Sequence, residues 1–112
     1  MSEAVIDLVV FNEIADLMGD SMPEFIGTYL ENSPKLLKEM SIAVPAGDFD
    51  KVSQSAHQLK GGSGSIGAMQ VYSYAKQLEA AANEGKLDNL MSLFAQLNVA
   101  YVQVEAELKK RL

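Results

Sequence analysis

From Leu87 to Leu108, apolar side chains recur at alternating steps of three and four: Leu87, Leu90, Phe94, Leu97, Tyr101, Val104 and Leu108. That period puts all seven on one face of a single helix. A helix with one apolar stripe draws most of its stability from whatever covers the stripe. The chain must therefore provide other helices, and the remaining sequence is read for them.

Four earlier stretches qualify. Asp7 caps a short first helix carrying Leu8, Val10, Phe11, Ile14, Leu17 and Met18, ended by Gly19-Asp20. Ser21-Met22-Pro23-Glu24 reads as a capping box with proline in the first turn. It opens a second helix bearing Phe25, Ile26, Tyr29, Leu30, Leu36, Leu37 and Met40. Pro34 lies inside it and predicts a kink or a split into two helices. Val44-Pro45-Ala46-Gly47 reads as a turn, and Asp48 as the next N-cap. The third helix has Phe49, Val52, Ala56, Leu59, Ser63 and Ile66 on one stripe and ends near Gly67. The fourth carries Val71, Ala75, Leu78 and Ala82 and stops around Gly85. Strand signals, internal repeats and low-complexity linkers are absent from the sequence, and the connections are short. The expected fold is all-α: an antiparallel four-helix bundle from the last four helices, with the short first helix across one end, as one domain over residues 1–112. Methionines and aromatics on these stripes are read as core.

Composition narrows the function. The 112 residues suit one small core, and 48% hydrophobic content suits a globular chain. With no cysteine, neither a disulfide framework nor a thiolate metal site is possible, and a single histidine excludes the multi-histidine metal sites. A net charge of −6 argues against nucleic-acid binding. Met1-Ser2-Glu3-Ala4 lacks the basic start and apolar run of a signal peptide, and no stretch reaches 18 uninterrupted apolar residues. No membrane role is expected, and a cytoplasmic location follows by elimination.

The histidine is His57, in Ala56-His57-Gln58-Leu59-Lys60-Gly61-Gly62-Ser63-Gly64-Ser65-Ile66-Gly67-Ala68. It lies about 100° round the helix from the apolar stripe. Lys60, Gly61 and Gly64, at i+3, i+4 and i+7, share its face. Each glycine costs roughly 1 kcal/mol in a helix interior relative to alanine. Gly61, Gly62 and Gly64 are expected to add nothing to the core, and Gly61 and Gly64 to give another macromolecule steric access to the imidazole. Gly62-Ser63-Gly64-Ser65-Ile66-Gly67 also matches G-x-G-x-x-G literally. A helical stripe precedes it where a dinucleotide site needs a strand, and no Gly-Lys-Ser/Thr follows, so both nucleotide readings are rejected.

One further relation follows from counting. If helices three and four turn back on each other at Ala68, residues equidistant from it lie side by side. His57 is eleven before Ala68 and Glu79 eleven after. Lys76 falls opposite Lys60 by the same count.

His57-Gln58-Leu59-Lys60-Gly61, then Ile66-Gly67-Ala68, then Leu78-Glu79, resembles the signature of histidine phosphotransfer (HPt) domains of two-component phosphorelays, without a gap over 23 residues. Gly62 and Gly64 depart from it, standing where Ser or Ala is more usual. The resemblance implies a phosphorelay intermediate. It would take a phosphoryl group on His57 from the aspartate of a receiver domain and pass it to another receiver. Glu79 would hydrogen-bond and orient the imidazole, and Lys60 would pair with the phosphoryl oxygens. No cofactor is implied for this chain, since Mg²⁺ belongs to the partner receiver. Nor is ATP-dependent kinase activity implied. The partners would be response-regulator receiver domains, a hybrid sensor histidine kinase, or both. The first helix and the start of the second would add an apolar docking patch, carried over as Val10, Ile14 and Phe25, whose other reading is core packing. The competing function is a helical adaptor that binds partners without transfer; His57, Lys60 and Glu79 occurring together argue against it. The starting methionine and complete bundle suggest a free-standing protein, and the countable stripes suggest a monomer.

Overall fold

The computed structural model of the protein describes residues 5–112; the features read on Met1, Ser2, Glu3 and Ala4 lie outside the described residues. Five α-helices follow one another: α1 (Leu8–Met18), α2 (Met22–Ala46), α3 (Phe49–Ile66), α4 (Met69–Glu84) and α5 (Leu87–Lys109). Among the described residues there is no strand. Helices α2 to α5 pack in a ring, each against its two neighbours, and α1 packs against α2 and α3.

The four bundle helices turn on two-residue connections, each with a glycine in the left-handed region: Gly47 (φ 67°), Gly67 (φ 87°) and Gly85 (φ 70°). The Gly47 amide reaches Val44 O at 3.1 Å and the Asp48 amide reaches Ala43 O at 3.0 Å, which occupies the carbonyls that α2 leaves unpaired at its end. Such short loops force neighbouring helices to run antiparallel. Asp7 caps α1 through its side chain, accepting from the amides of Val9 and Val10, and Asp48 caps α3 by accepting from Lys51 N. Helix α1 lies at the end of the bundle that holds the α3–α4 turn. The Asp7 amide donates to Gly67 O at 2.8 Å, and the Arg111 guanidinium from the end of α5 stacks 4.9 Å over the Phe11 ring.

The stripes meet in one core. Leu59, Leu78, Leu97 and Leu108 are each at most 1% exposed. On α5 the expected stripe is buried except at its start, where Leu87 is exposed, and at Phe94, which is half-buried. Ser63 sits on the apolar stripe of α3 because its hydroxyl pairs with Tyr29 Oη at 2.7 Å in the interior. Burial pushes the Tyr29 phenol up to about 12.

Two expectations fail in the second helix. Ser21 forms no capping box: its backbone is helical (φ −85°, ψ −3°), and its side chain accepts no cap bond. Gly19–Ser21 is a 3-10 turn that leads into α2, and the Met22 amide is satisfied by Gly19 O. Val44-Pro45-Ala46 is the last turn of α2 rather than a loop, and Pro34 does not split the helix. Both prolines are exposed, so their rings lie outside the core, whereas Val44 is 1% exposed and anchors that last turn in the core.

Candidate functional site

His57 lies in the middle of α3 with its side chain 66% exposed. It is off the apolar stripe, so packing on Ala56 and Leu59 fixes the helix while leaving the ring outside. Glu79, from the middle of α4, lies beside it as the count about Ala68 requires. Glu79 Oε2 is 2.8 Å from His57 Nδ1, and Glu79 Oε1 accepts from Lys60 Nζ at 2.6 Å. One carboxylate therefore bridges the histidine and the lysine.

The electrostatics follow from those contacts. The hydrogen bond from Lys60 holds the Glu79 carboxyl below its ordinary value of 4.5; partial burial opposes this, and the His57 bond adds to it. An ionised carboxylate only accepts hydrogen bonds, so His57 Nδ1 carries the hydrogen. In the neutral imidazole the lone pair is then on Nε2. The side chains of Lys60 and Glu79 are 24% and 19% exposed, so the pair is partly shielded from solvent. A carboxyl with a depressed value stabilises the fold above the ordinary value and loses that contribution as pH falls through its own. Glu79→Gln is expected to lower stability by about 1 kcal/mol at neutral pH. The gap between variant and wild type should close as pH drops below the ordinary glutamate range. Urea unfolding of both proteins across pH 3–7 checks this.

The glycines divide into two groups. A Cβ on Gly61 would meet nothing within 4 Å, so the surface next to His57 on its own face is open. The space beside Gly64 is occupied: a Cβ there would lie 3.0 Å from Tyr72 Cδ1. Steric access for a partner is thus not what Gly64 provides; it seats the Tyr72 ring of α4. Gly62 likewise faces the Tyr29 ring, with a Cβ at 3.4 Å. Contrary to expectation, both glycines serve packing between helices.

The three residues carried over for docking are all half-buried. Val10 lies against the Gly67 turn, and Ile14 and Phe25 pack on the core. Phe25 also lines an open groove of about 460 Å³ between α2 and α3, with Thr28, Asn32, Leu36, Gln58 and Gly62. Gln58 places that groove next to His57. On α1 the more exposed apolar side chains are Val9 and Leu17, at 69% and 82%. Leu17 belongs to the apolar set expected on the first helix, whereas Val9 and Tyr72 stand on none of the expected stripes. The count about Ala68 pairs Tyr72 with Gly64, four residues to either side, and was the signal that could have found it.

Among the described residues no three His, Asp or Glu side chains cluster in a way that could hold a metal ion, and no helix is long and apolar enough to cross a membrane.

Known proteins share this fold. The Hpt domain family model matches residues 24–109, which contain α3, α4, α5, all but the first two residues of α2, and all three site side chains. The crystal structure of histidine-containing phosphotransfer protein B from Pseudomonas aeruginosa superposes with a TM-score of 0.93 at 29% identity, covering 98% of this chain and 96% of that one. Histidine-containing phosphotransfer protein 2 of Arabidopsis thaliana is 27% identical over 106 residues, covering 88% of this chain and 68% of its own length. Protein 4 of the same plant is 27% identical over 105 residues, covering 88% and 83%. With an all-helical bundle, an exposed histidine held by a neighbouring glutamate, and a family model spanning most of its length, the chain belongs to the Hpt domain family and is a phosphorelay intermediate of two-component signalling.

Proposed function

We propose that His57 is the phosphoryl carrier, that the phosphoryl group goes onto Nε2, and that it arrives from an aspartyl phosphate on a receiver domain and leaves to the aspartate of another. The observation that supports this most is the contact of Glu79 with Nδ1, which leaves Nε2 as the nucleophile on an exposed ring. In the transfer, the Nε2 lone pair forms a P–N bond while the acyl P–O bond of the donor breaks. The aspartate leaves as a carboxylate and is a good leaving group. Nδ1 keeps its hydrogen throughout, and its bond to Glu79 stabilises the positive charge that the ring acquires as phosphorus bonds.

Lys60 is placed on the same face and is held by Glu79 Oε1. Swinging toward the phosphoryl oxygens would replace one anionic partner by another, and we assign it that role. Mg²⁺ belongs to the receiver's acidic pocket in this account. The chain needs no ATP and no kinase activity of its own, because the donor already carries an activated phosphate. One copy suffices, since every side chain of the site comes from one chain. We place it in the cytoplasm with receivers and the kinase portions of sensor proteins as partners.

The test is acceptance of label from a phosphorylated receiver, followed by separation of the chains. Label on this chain that is stable in alkali and lost in acid supports phosphohistidine; label lost in alkali would contradict it.

A further inference from the structure

We propose that the surface that docks the phosphorylated receiver runs off α3 onto α4, through Tyr72 and Lys76. This rests on His57 being the carrier. Tyr72, Lys76 and Glu79 stand at i, i+4 and i+7 on α4 and so share one helix face. The bonds of Glu79 to His57 and Lys60 show that this face runs alongside the histidine. Tyr72 is two helical turns from that carboxylate, and its ring lies against the bare backbone at Gly64, with the atoms Cδ1 and Cε1 3.0 and 3.3 Å from where a Cβ would be. A Cβ at position 64 would force the ring to give by a few tenths of an ångström. The chain thus spends a helix-interior glycine on holding one half-buried tyrosine at the rim of the histidine site.

A tyrosine fixed this way suits docking. Its ring offers amphipathic contact area, and because it is already positioned it loses little freedom when covered. Lys76 adds charge. It is exposed and, like Lys38, makes no ion pair among the described residues, whereas Lys60 is neutralised by Glu79. The chain carries −6 overall and so repels an acidic partner in general. A receiver that presents carboxylates and an acyl phosphate is such a partner, and Lys76 is the free cation on the face it must approach.

The experiment follows transfer from a phosphorylated receiver while the receiver concentration is varied. Labelling by phosphoramidate, a small donor that docks no protein, reads the His57 site separately. Tyr72→Ala is expected to raise the half-saturating receiver concentration about tenfold, the size of a single interface anchor. Lys76→Ala should raise it about threefold at low salt, an effect that shrinks as salt is added. Gly64→Ala, which shifts the ring by only a few tenths of an ångström, should raise it less than Tyr72→Ala does, and gives a second route if the larger truncation loosens the α3–α4 packing. Lys38→Ala, on α2, should change nothing. Unaltered half-saturation in both Tyr72→Ala and Lys76→Ala overturns the proposal. So does a parallel fall of receiver transfer and phosphoramidate labelling in Tyr72→Ala, which would mean that the ring supports the histidine rather than the partner. A wild-type protein labelled by neither donor would overturn the carrier assignment itself, and the docking surface with it.

Discussion

His57→Gln is expected to abolish phosphate acceptance and to leave the fold in place. His57 is the only histidine in the chain, so no other imidazole can take over. Its side chain is mostly exposed and makes one side-chain hydrogen bond, to Glu79, so its loss removes little packing. Glutamine reaches toward Glu79 with an amide that donates a hydrogen bond, but amide nitrogen has no available lone pair and cannot attack phosphorus. Label transferred from a phosphorylated receiver should fall to background, a loss of at least about a thousandfold on the scale of a removed nucleophile. Far-ultraviolet circular dichroism and the unfolding midpoint should stay near wild type. Full-rate acceptance by the variant would show that the phosphate goes elsewhere.

Gly67→Ala has the largest expected effect on stability. Gly67 has φ 87°, in the left-handed region, where an L side chain costs about 1–2 kcal/mol. A Cβ there would also lie 2.8 Å from Asp7 O and 3.3 Å from Phe11 N. Both are backbone atoms of the α1 docking contact, so the neighbour cannot turn a side chain aside. The α1 segment has to back away, and the bond from the Asp7 amide to Gly67 O goes with it. Together these cost about 3 kcal/mol, a sizeable part of the 5–15 kcal/mol typical of a small domain. Urea unfolding is expected to show that loss, with amide exchange accelerated most in α1. A variant as stable as wild type would mean that α1 contributes nothing to the bundle at this turn.

That glycine shows why the motif could be read before its geometry was known. Ile66-Gly67-Ala68 suggests by sequence that α3 ends there and turns back into the next helix. The structure adds that the same glycine seats α1, so one position serves the fold twice. The helices themselves were legible because their apolar residues keep a single period, and Asp7 and Asp48 because a cap needs only local chemistry. The contact of His57 with Glu79 was legible because a two-residue connection fixes the register of a hairpin, and counting then does the rest.

What stayed hidden depended on packing. Pro45 looks like a loop residue by type, yet burial of Val44 carries α2 past it. Ser21 looks like a cap by type, but α1 runs into α2 through a 3-10 turn and leaves it no extended backbone from which to cap. The glycines after His57 were read as one feature with one purpose. They separate only when the neighbouring helix is in place: Gly61 is open, Gly62 faces Tyr29 and Gly64 faces Tyr72. The half-buried Val10, Ile14 and Phe25 show the same difficulty, since docking and core packing call for the same residue types.

The most direct test of the central claim is the identity of the phosphorylated nitrogen. The protein is labelled with nitrogen-15 at the imidazole, phosphorylated by a receiver, and examined by proton–nitrogen correlation under alkaline-stable conditions. Phosphorus is expected on Nε2 of His57, with Nδ1 still protonated and still bonded to Glu79. Phosphorus on Nδ1 would break that bond and contradict the role given to Glu79, and phosphorus on any other residue would contradict the carrier assignment altogether.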